Sequence, residues 1–352
     1  MPPPQSANNQ RQPYIMISGT RTLSQTKLYG LILCLVTTLT SEVTAQWAIQ
    51  KGSNPDGPGS RLSIQNGNRP VAAWTYGEGQ FKPYLHVFGP NRARLTNSGL
   101  DQAGKMAGKF GHHRGIFIGW NRIESDLGRH DLWHMKKGTS MEIAEFTQLV
   151  TTGHHAVTEA HIIWSVERTD TQPNDVLIDE HRQISVSQPN ASTTQIDFHS
   201  KLKAARDLKL GGDLQHAGVH FRAENEVATR PTETAYVWHP ELPAERRGVI
   251  SEEWQWATLI FPIGDRWYRC TEMTAPENKF SELSWRDYGR FGFFDKKELR
   301  KGQTLELRFR FSITEIQDVD NPAQSESYKA SVRQENKEAY QAFLNDIAPA
   351  DQ

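Results

Sequence analysis

All thirteen histidines of the chain lie beyond residue 85, and the densest group is Gly111-His112-His113-Arg114-Gly115, directly before the apolar run Ile116-Phe117-Ile118-Gly119-Trp120. Imidazole changes charge near neutrality, so it can give or take a proton or ligate a metal. A guanidinium grips carboxylates and hydroxyl pairs, and flanking glycines let the backbone approach a ligand closely. This block is expected to be functional; the alternative is a loop whose imidazoles only cap neighbouring backbone groups. Other candidates are His86 after Pro83-Tyr84-Leu85, Trp133-His134 after Asp131-Leu132, Gln215-His216, and His220 with Arg222 on Gly218-Val219-His220-Phe221-Arg222. If Val219 and Phe221 face the core, His220 and Arg222 share the opposite sheet face. His154, His155, His161, His181 and His199 fall inside alternating runs and are expected to face solvent.

A third cluster spans Glu272 to Asn278 and Ser281 to Gly289, and contains Trp285, Arg286, Asp287 and Tyr288. Carboxylates, an arginine and rings that could stack on a sugar suit glycosidic chemistry, through paired acids or through β-elimination by a histidine and a tyrosine. A structural salt bridge from Arg286 is the bland alternative. The resulting expectation is a carbohydrate-active hydrolase or lyase acting on a glycoside or sugar acid. His112, His113, Arg114, His220, Glu272 and Tyr288 would be catalytic, and His86, Trp133, His134, His216, Arg222, Trp285, Arg286 and Asp287 would bind the carbohydrate or other small molecule. Two other readings stand beside it. One is a non-catalytic sugar-binding module. In the other, three of His86, His112, His113, His134, His216 and His220 hold a divalent metal, a role familiar for imidazole. The sequence contains no phosphate-binding G-x-x-x-x-G-K-[ST] loop, no H-E-x-x-H pair and no G-x-S-x-G elbow, which removes the usual support for nucleotide hydrolysis, zincin proteolysis and α/β-hydrolase chemistry.

The elements that must position these residues read as strands. Leu305, Leu307, Phe309, Phe311 and Ile313 alternate with polar residues; so do Ala160, Ile162, Trp164 and Val166, and Ile196, Phe198 and Leu202. On the order of fifteen such runs, separated by Gly, Pro, Asn and Asp and with no alternating helices, predict an all-β, large antiparallel sandwich. Only the tail from Ser325 to Asp346 has helical composition, and it is expected to pack on the outside. The predicted organisation is a signal peptide over 1–45, one β-sandwich domain over 46–320 and a C-terminal helical tail over 321–352.

Residues 28–39 form an apolar run after Arg21 and Lys27, with Val43-Thr44-Ala45 at a plausible cleavage site, so a secreted or periplasmic protein is expected. The run falls short of the ~20 residues of a membrane span, and none follows. Lys and Arg number 40 against 41 Asp and Glu. The first 45 residues hold three basic and one acidic, leaving −3 on the remainder, so nucleic acid is not an expected partner. Of two cysteines, Cys34 lies in the apolar run and Cys270 stands alone beyond it, excluding an intrachain disulfide after cleavage.

Pro83-Tyr84-Leu85-His86, His112-His113-Arg114-Gly115, Asp131-Leu132-Trp133-His134 and Arg286-Asp287-Tyr288-Gly289, in this order and followed by Lys301-Gly302, resemble a bacterial domain of unknown function labelled "methane oxygenase PmoA". The resemblance runs from about residue 69 to 315. It implies a large β-sandwich similar to the galactose-mutarotase supersandwich and a place in sugar catabolism, not methane oxidation, since a methane monooxygenase subunit needs several transmembrane helices. The chain departs from that pattern at Ala107–Gly111, where Asp-His-Pro is expected, and at Ser284-Trp285, where Trp-His is expected.

Overall fold

The computed structural model describes residues 46–348 except 102, 169–171, 214, 243–248 and 295. Residues 1–45, on which the signal-peptide expectation and Cys34 rest, lie outside the described residues. Two large antiparallel sheets carry the fold. The first has nine strands in the order Trp47–Ser53, Ser60–Asn66, Arg69–Tyr76, Tyr84–Val87, Ile116–Trp120, Ala217–Arg222, Arg290–Phe294, Glu282–Arg286, Val249–Ile250. The second has eight: Ala235–His239, Trp256–Ile263, Arg266–Thr274, Thr304–Ile316, Thr193–Ala204, Asp175–Asn190, His155–Val166, Thr139–Thr151. A small third sheet joins Lys297–Leu299, Leu208–Gly211, Arg122–Ser125 and Gly128–His130. More strands form than alternation suggests, because pieces such as Val249–Ile250 are too short to show a period of two.

The predicted runs behave as read. Leu307, Phe309, Phe311 and Ile313 are buried, as are Ile162, Trp164, Ile196, Phe198 and Leu202, and they share one core with Leu62, Trp74, Ile118, Trp120, Val219 and Phe221 from the first sheet. Trp120 meets Trp164 across it with ring centroids 6.0 Å apart. One ion pair sits inside this core. Glu180 accepts from Arg182 Nε at 2.7 Å, Ser200 Oγ at 2.7 Å and Trp164 Nε1 at 2.7 Å, so its buried charge is fully solvated by donors. Cys270 is buried in the same core.

The tail helix runs Glu326–Ile347, with the Ser325 side chain capping its first turn by accepting from Tyr328 N. Val332, Asn336, Tyr340 and Phe343 recur on one face and pack against Val237, Trp256, Ile260 and Met273 on the outer face of the second sheet. Ala330 and Ala339 are exposed. Under this cover Arg310, on the polar side of its strand, is buried beneath the helix, bonded to Asp197 and Asp346 with its guanidinium over Phe343. Among the described residues no helix is long and apolar enough to cross a membrane.

Candidate active site

Val219 and Phe221 face the core, so His220 and Arg222 point out of the far side of the first sheet, as alternation requires. Register then fixes their neighbours. His220 lies opposite Phe117 on one side and Gly292 on the other, and Arg222 lies opposite Arg290. Gly292 is needed there: a Cβ would stand 2.7 Å from the His220 ring and 2.1 Å from the Val219 carbonyl oxygen. The loops around residues 110–115 and 131–135 fold over this face and bring the other histidines to it.

Four imidazoles meet there. Ring centroids are 4.1 Å apart for His112 and His113, 4.6 Å for His112 and His134, 4.7 Å for His134 and His216, and 6.3 Å for His113 and His216. Two are backed by carboxylates in the same way. His134 Nδ1 lies 2.9 Å from Asp131, and His216 Nδ1 lies 2.8 Å from Asp213, each Asp three residues earlier in a turn whose backbone N–H groups also donate to that carboxylate. A carboxylate accepting at Nδ1 keeps that nitrogen protonated and leaves the Nε2 lone pair available. Burial would raise the Asp131 carboxyl, but hydrogen bonds from the His134 ring and the His134 and Trp133 backbone hold it at about 2, so it stays a carboxylate.

Beneath these rings the residues are buried and held by hydrogen bonds. His113 Nε2 accepts from Trp133 Nε1 at 3.0 Å; its ring lies nearly parallel to Tyr288, 6.3 Å away. His220 donates from Nε2 to the Ala217 carbonyl at 2.8 Å and accepts at Nδ1 from Arg290 at 2.9 Å, so both its nitrogens are committed. Arg290 also donates to the Tyr288 hydroxyl at 3.3 Å and to Ser284 at 3.0 Å. Arg222 lies 5.1 Å from the Tyr288 ring and donates to the backbone carbonyls of Tyr288 and Lys109, tying two loops together. Lys82 is buried against Phe117 and Trp133, donating to the Trp133 carbonyl at 2.6 Å.

Burial sets the electrostatics. It pushes His113 and His220 well below the ordinary imidazole value, with Arg290 adding to the effect, and lowers His112 to about 3, helped by the neighbouring His134. His216 is lowered by burial against the pull of Asp213. Lys82 is likewise driven far down by burial, opposed by Asp131. His112, His113, His216 and His220 are thus neutral at physiological pH, beside the buried guanidinium groups of Arg222 and Arg290. His134, His216 and His112 are half-buried and Phe110 and Lys109 exposed, and a cleft of about 570 Å³ lined by Arg129, His130, Lys136 and Lys137 runs up to Asp131.

Several expected members fall elsewhere. Glu272 faces the core between the sheets, so the first sheet separates it from the histidines; burial, only weakly offset by the Phe293 backbone, pushes its carboxyl well above the usual range. Trp285 points to the same inner side, its ring against Tyr236 and Trp238, because it stands one residue out of phase with Ser284 and Arg286. Trp133 is fully buried and supports His113 instead of offering a face to a sugar. Arg114 turns away from His113 and braces the loop, donating to the Gly111 carbonyl and to Gln80 over the Phe81 ring. His86 is buried apart from the four imidazoles, bonded to Thr96 beside Tyr84 and Phe88. His113, His220 and Arg222 belong to the site but are committed within its floor. Arg286 and Asp287 contribute through their carbonyls, which accept from Tyr236 and Thr234. Among the described residues only His161, Asp179 and His181 bring ligand atoms within 4.8 Å of one another, so no trio of the six candidate histidines forms a compact metal set.

Lys82, Phe110, Phe117, Arg290, Asp131 and Asp213 were given no role on the sequence alone. The last two had a signal: Asp-x-x-His occurs at 131–134 and again at 213–216.

A search of the curated proteins matched none. Among solved structures the chain is similar to a galactose mutarotase related enzyme from Lactobacillus acidophilus, at 8% identity and TM-score 0.34, covering 78% of this chain and 99% of that one. It is also similar to a variant of a glycoside hydrolase family 97 enzyme from Pseudoalteromonas sp. strain K8 (11% identity, TM-score 0.39, 79% and 37% covered) and to a heparan sulfate lyase mutant from Pedobacter heparinus (9%, 0.33, 78% and 36%). The chain spans little more than a third of the length of these last two, and at such identities and scores they say nothing of its activity. A family model matches residues 61–325, and the chain therefore belongs to the family of unknown function DUF6807.

Proposed function

We propose that the protein is an exported carbohydrate-active enzyme that transfers protons at a sugar acid or its glycoside through His134, His216 and His112. The observation that carries this reading is the facing pair of Asp-x-x-His turns, which present two Nε2 lone pairs beside a third, neutral imidazole. A carboxylate-backed imidazole is a general base, and once protonated it returns the proton as an acid. Lys109 at the mouth and Arg222 and Arg290 beneath it favour an anionic substrate, since Asp131 and Asp213 are both engaged by histidines. On a uronide, one histidine would take the proton α to the carboxylate, the electron pair would form a carbon–carbon double bond as the bond to the glycosidic oxygen breaks, and that oxygen would leave with the same proton, handed on through the second imidazole. The resemblance to the PmoA-labelled domain points to sugar catabolism and agrees with this chemistry.

The test is turnover of polyuronides and nitrophenyl glycosides, followed by ultraviolet absorbance of the new double bond and by released nitrophenol. His134→Ala and His216→Ala should each lower kcat/KM by roughly 10²-fold or more, the ordinary scale of general acid–base catalysis. Wild-type turnover in the folded double variant would defeat the proposal, and sugar binding without any turnover would make the protein a binding module.

A further inference from the structure

On the outer face of the second sheet, on strands other than those that carry the helix's apolar contacts, His161 and His181 stand directly opposite each other on adjacent antiparallel strands. Their partners Ala160, Ile162, Glu180 and Arg182 point into the core, so both imidazoles point outward. The rings stack at 4.9 Å with 13° between planes. Asp179, two residues before His181 and on the same face, has Oδ1 2.9 Å from His161 Nε2 and 3.9 Å from His181 Nε2. Behind them, Glu159 Oε1 lies 3.4 Å from His181 Nδ1 and accepts from Thr147 Oγ1 at 3.1 Å.

We propose that His161, Asp179 and His181 form a binding site for a divalent transition metal ion. Two imidazole nitrogens and one carboxylate oxygen, all within 4.8 Å of one another, are a ligand set suited to zinc, nickel or copper, with open positions for water. Glu159 plays the outer part, holding His181 at Nδ1 so that Nε2 turns toward the ion. The alternation read in sequence places these histidines in solvent, and it is the cross-strand register that makes them a pair. This site is independent of the catalytic reading.

Isothermal titration of the full chain with Zn²⁺ tests it, with circular dichroism to show that each variant keeps its sheets. Wild type should bind the ion, His161→Ala and His181→Ala should each weaken binding at least tenfold, and a variant lacking His112, His134 and His216 should retain it. Electron paramagnetic resonance of bound Cu²⁺ should show two nitrogen ligands, falling to one in each single variant. No uptake by wild type, unchanged affinity in the His161→Ala/His181→Ala double variant, or loss only in the variant lacking the other three histidines overturns the proposal.

Discussion

At the scale of residues, the decisive fact is that the site stores neutral imidazoles. His112 is held at about 3, and His113, His216 and His220 also lie below the ordinary value of 6.5, all primarily because burial penalises the charged ring. Between pH 6.5 and about 3 the unfolded chain therefore binds protons that the folded chain refuses, and stability falls as pH drops through that window. Differential scanning calorimetry should show the melting temperature falling from pH 7 to pH 4.5, and His112→Gln should flatten the slope. A pH-independent melting temperature would contradict the buried state of these rings. Residue type singles out His112, His134 and His216, and the fold brings these three together. Arg114, Glu272 and Trp285 lie apart from them, because the direction of each depends on a turn or on a parity shift of one residue.

At the scale of elements, strand alternation was legible wherever one face is wet, and the Ser325-capped helix was legible from composition. The strands under the site were harder to read, because Ile116–Trp120, Ala217–Arg222 and Arg290–Phe294 are buried on both faces. Polar residues on such strands look like interruptions of a core pattern. Gly292 shows how tightly they are fitted. Gly292→Ala should displace His220, lower the melting temperature in line with the ~1–3 kcal/mol typical of overpacking, and reduce turnover with it. Gly211→Ala, whose new methyl would meet nothing closer than 3.6 Å, serves as the control and should behave like wild type. Equal stability of the two variants would refute the packing argument.

At the scale of the whole molecule, two buried carboxyls have opposite parts in the same core. Glu180 neutralises Arg182, so Glu180→Gln should cost about 3–5 kcal/mol by leaving a buried cation without its partner. Glu272 is held protonated by burial, so Glu272→Gln should cost about 1 kcal/mol or less and leave turnover intact. Urea unfolding monitored by tryptophan fluorescence separates the two, and a large loss in Glu272→Gln would mean that this carboxyl has a charged partner.

The connectivity of the two sheets bears on how the protein folds. Thr139–Thr151, His155–Val166, Asp175–Asn190 and Thr193–Ala204 pair in chain order, each close in sequence to the next, so these four strands can nucleate locally. The histidine-bearing sheet closes only when Ile116–Trp120 finds Ala217–Arg222 and that strand finds Arg290–Phe294, each across a long stretch of intervening chain whose entropy must be lost first. The histidine cluster thus depends on long-range pairings. In native-state hydrogen exchange the amides joining these three strands should exchange through a lower-energy opening than those of the meander, and a ligand filling the pocket should slow them selectively.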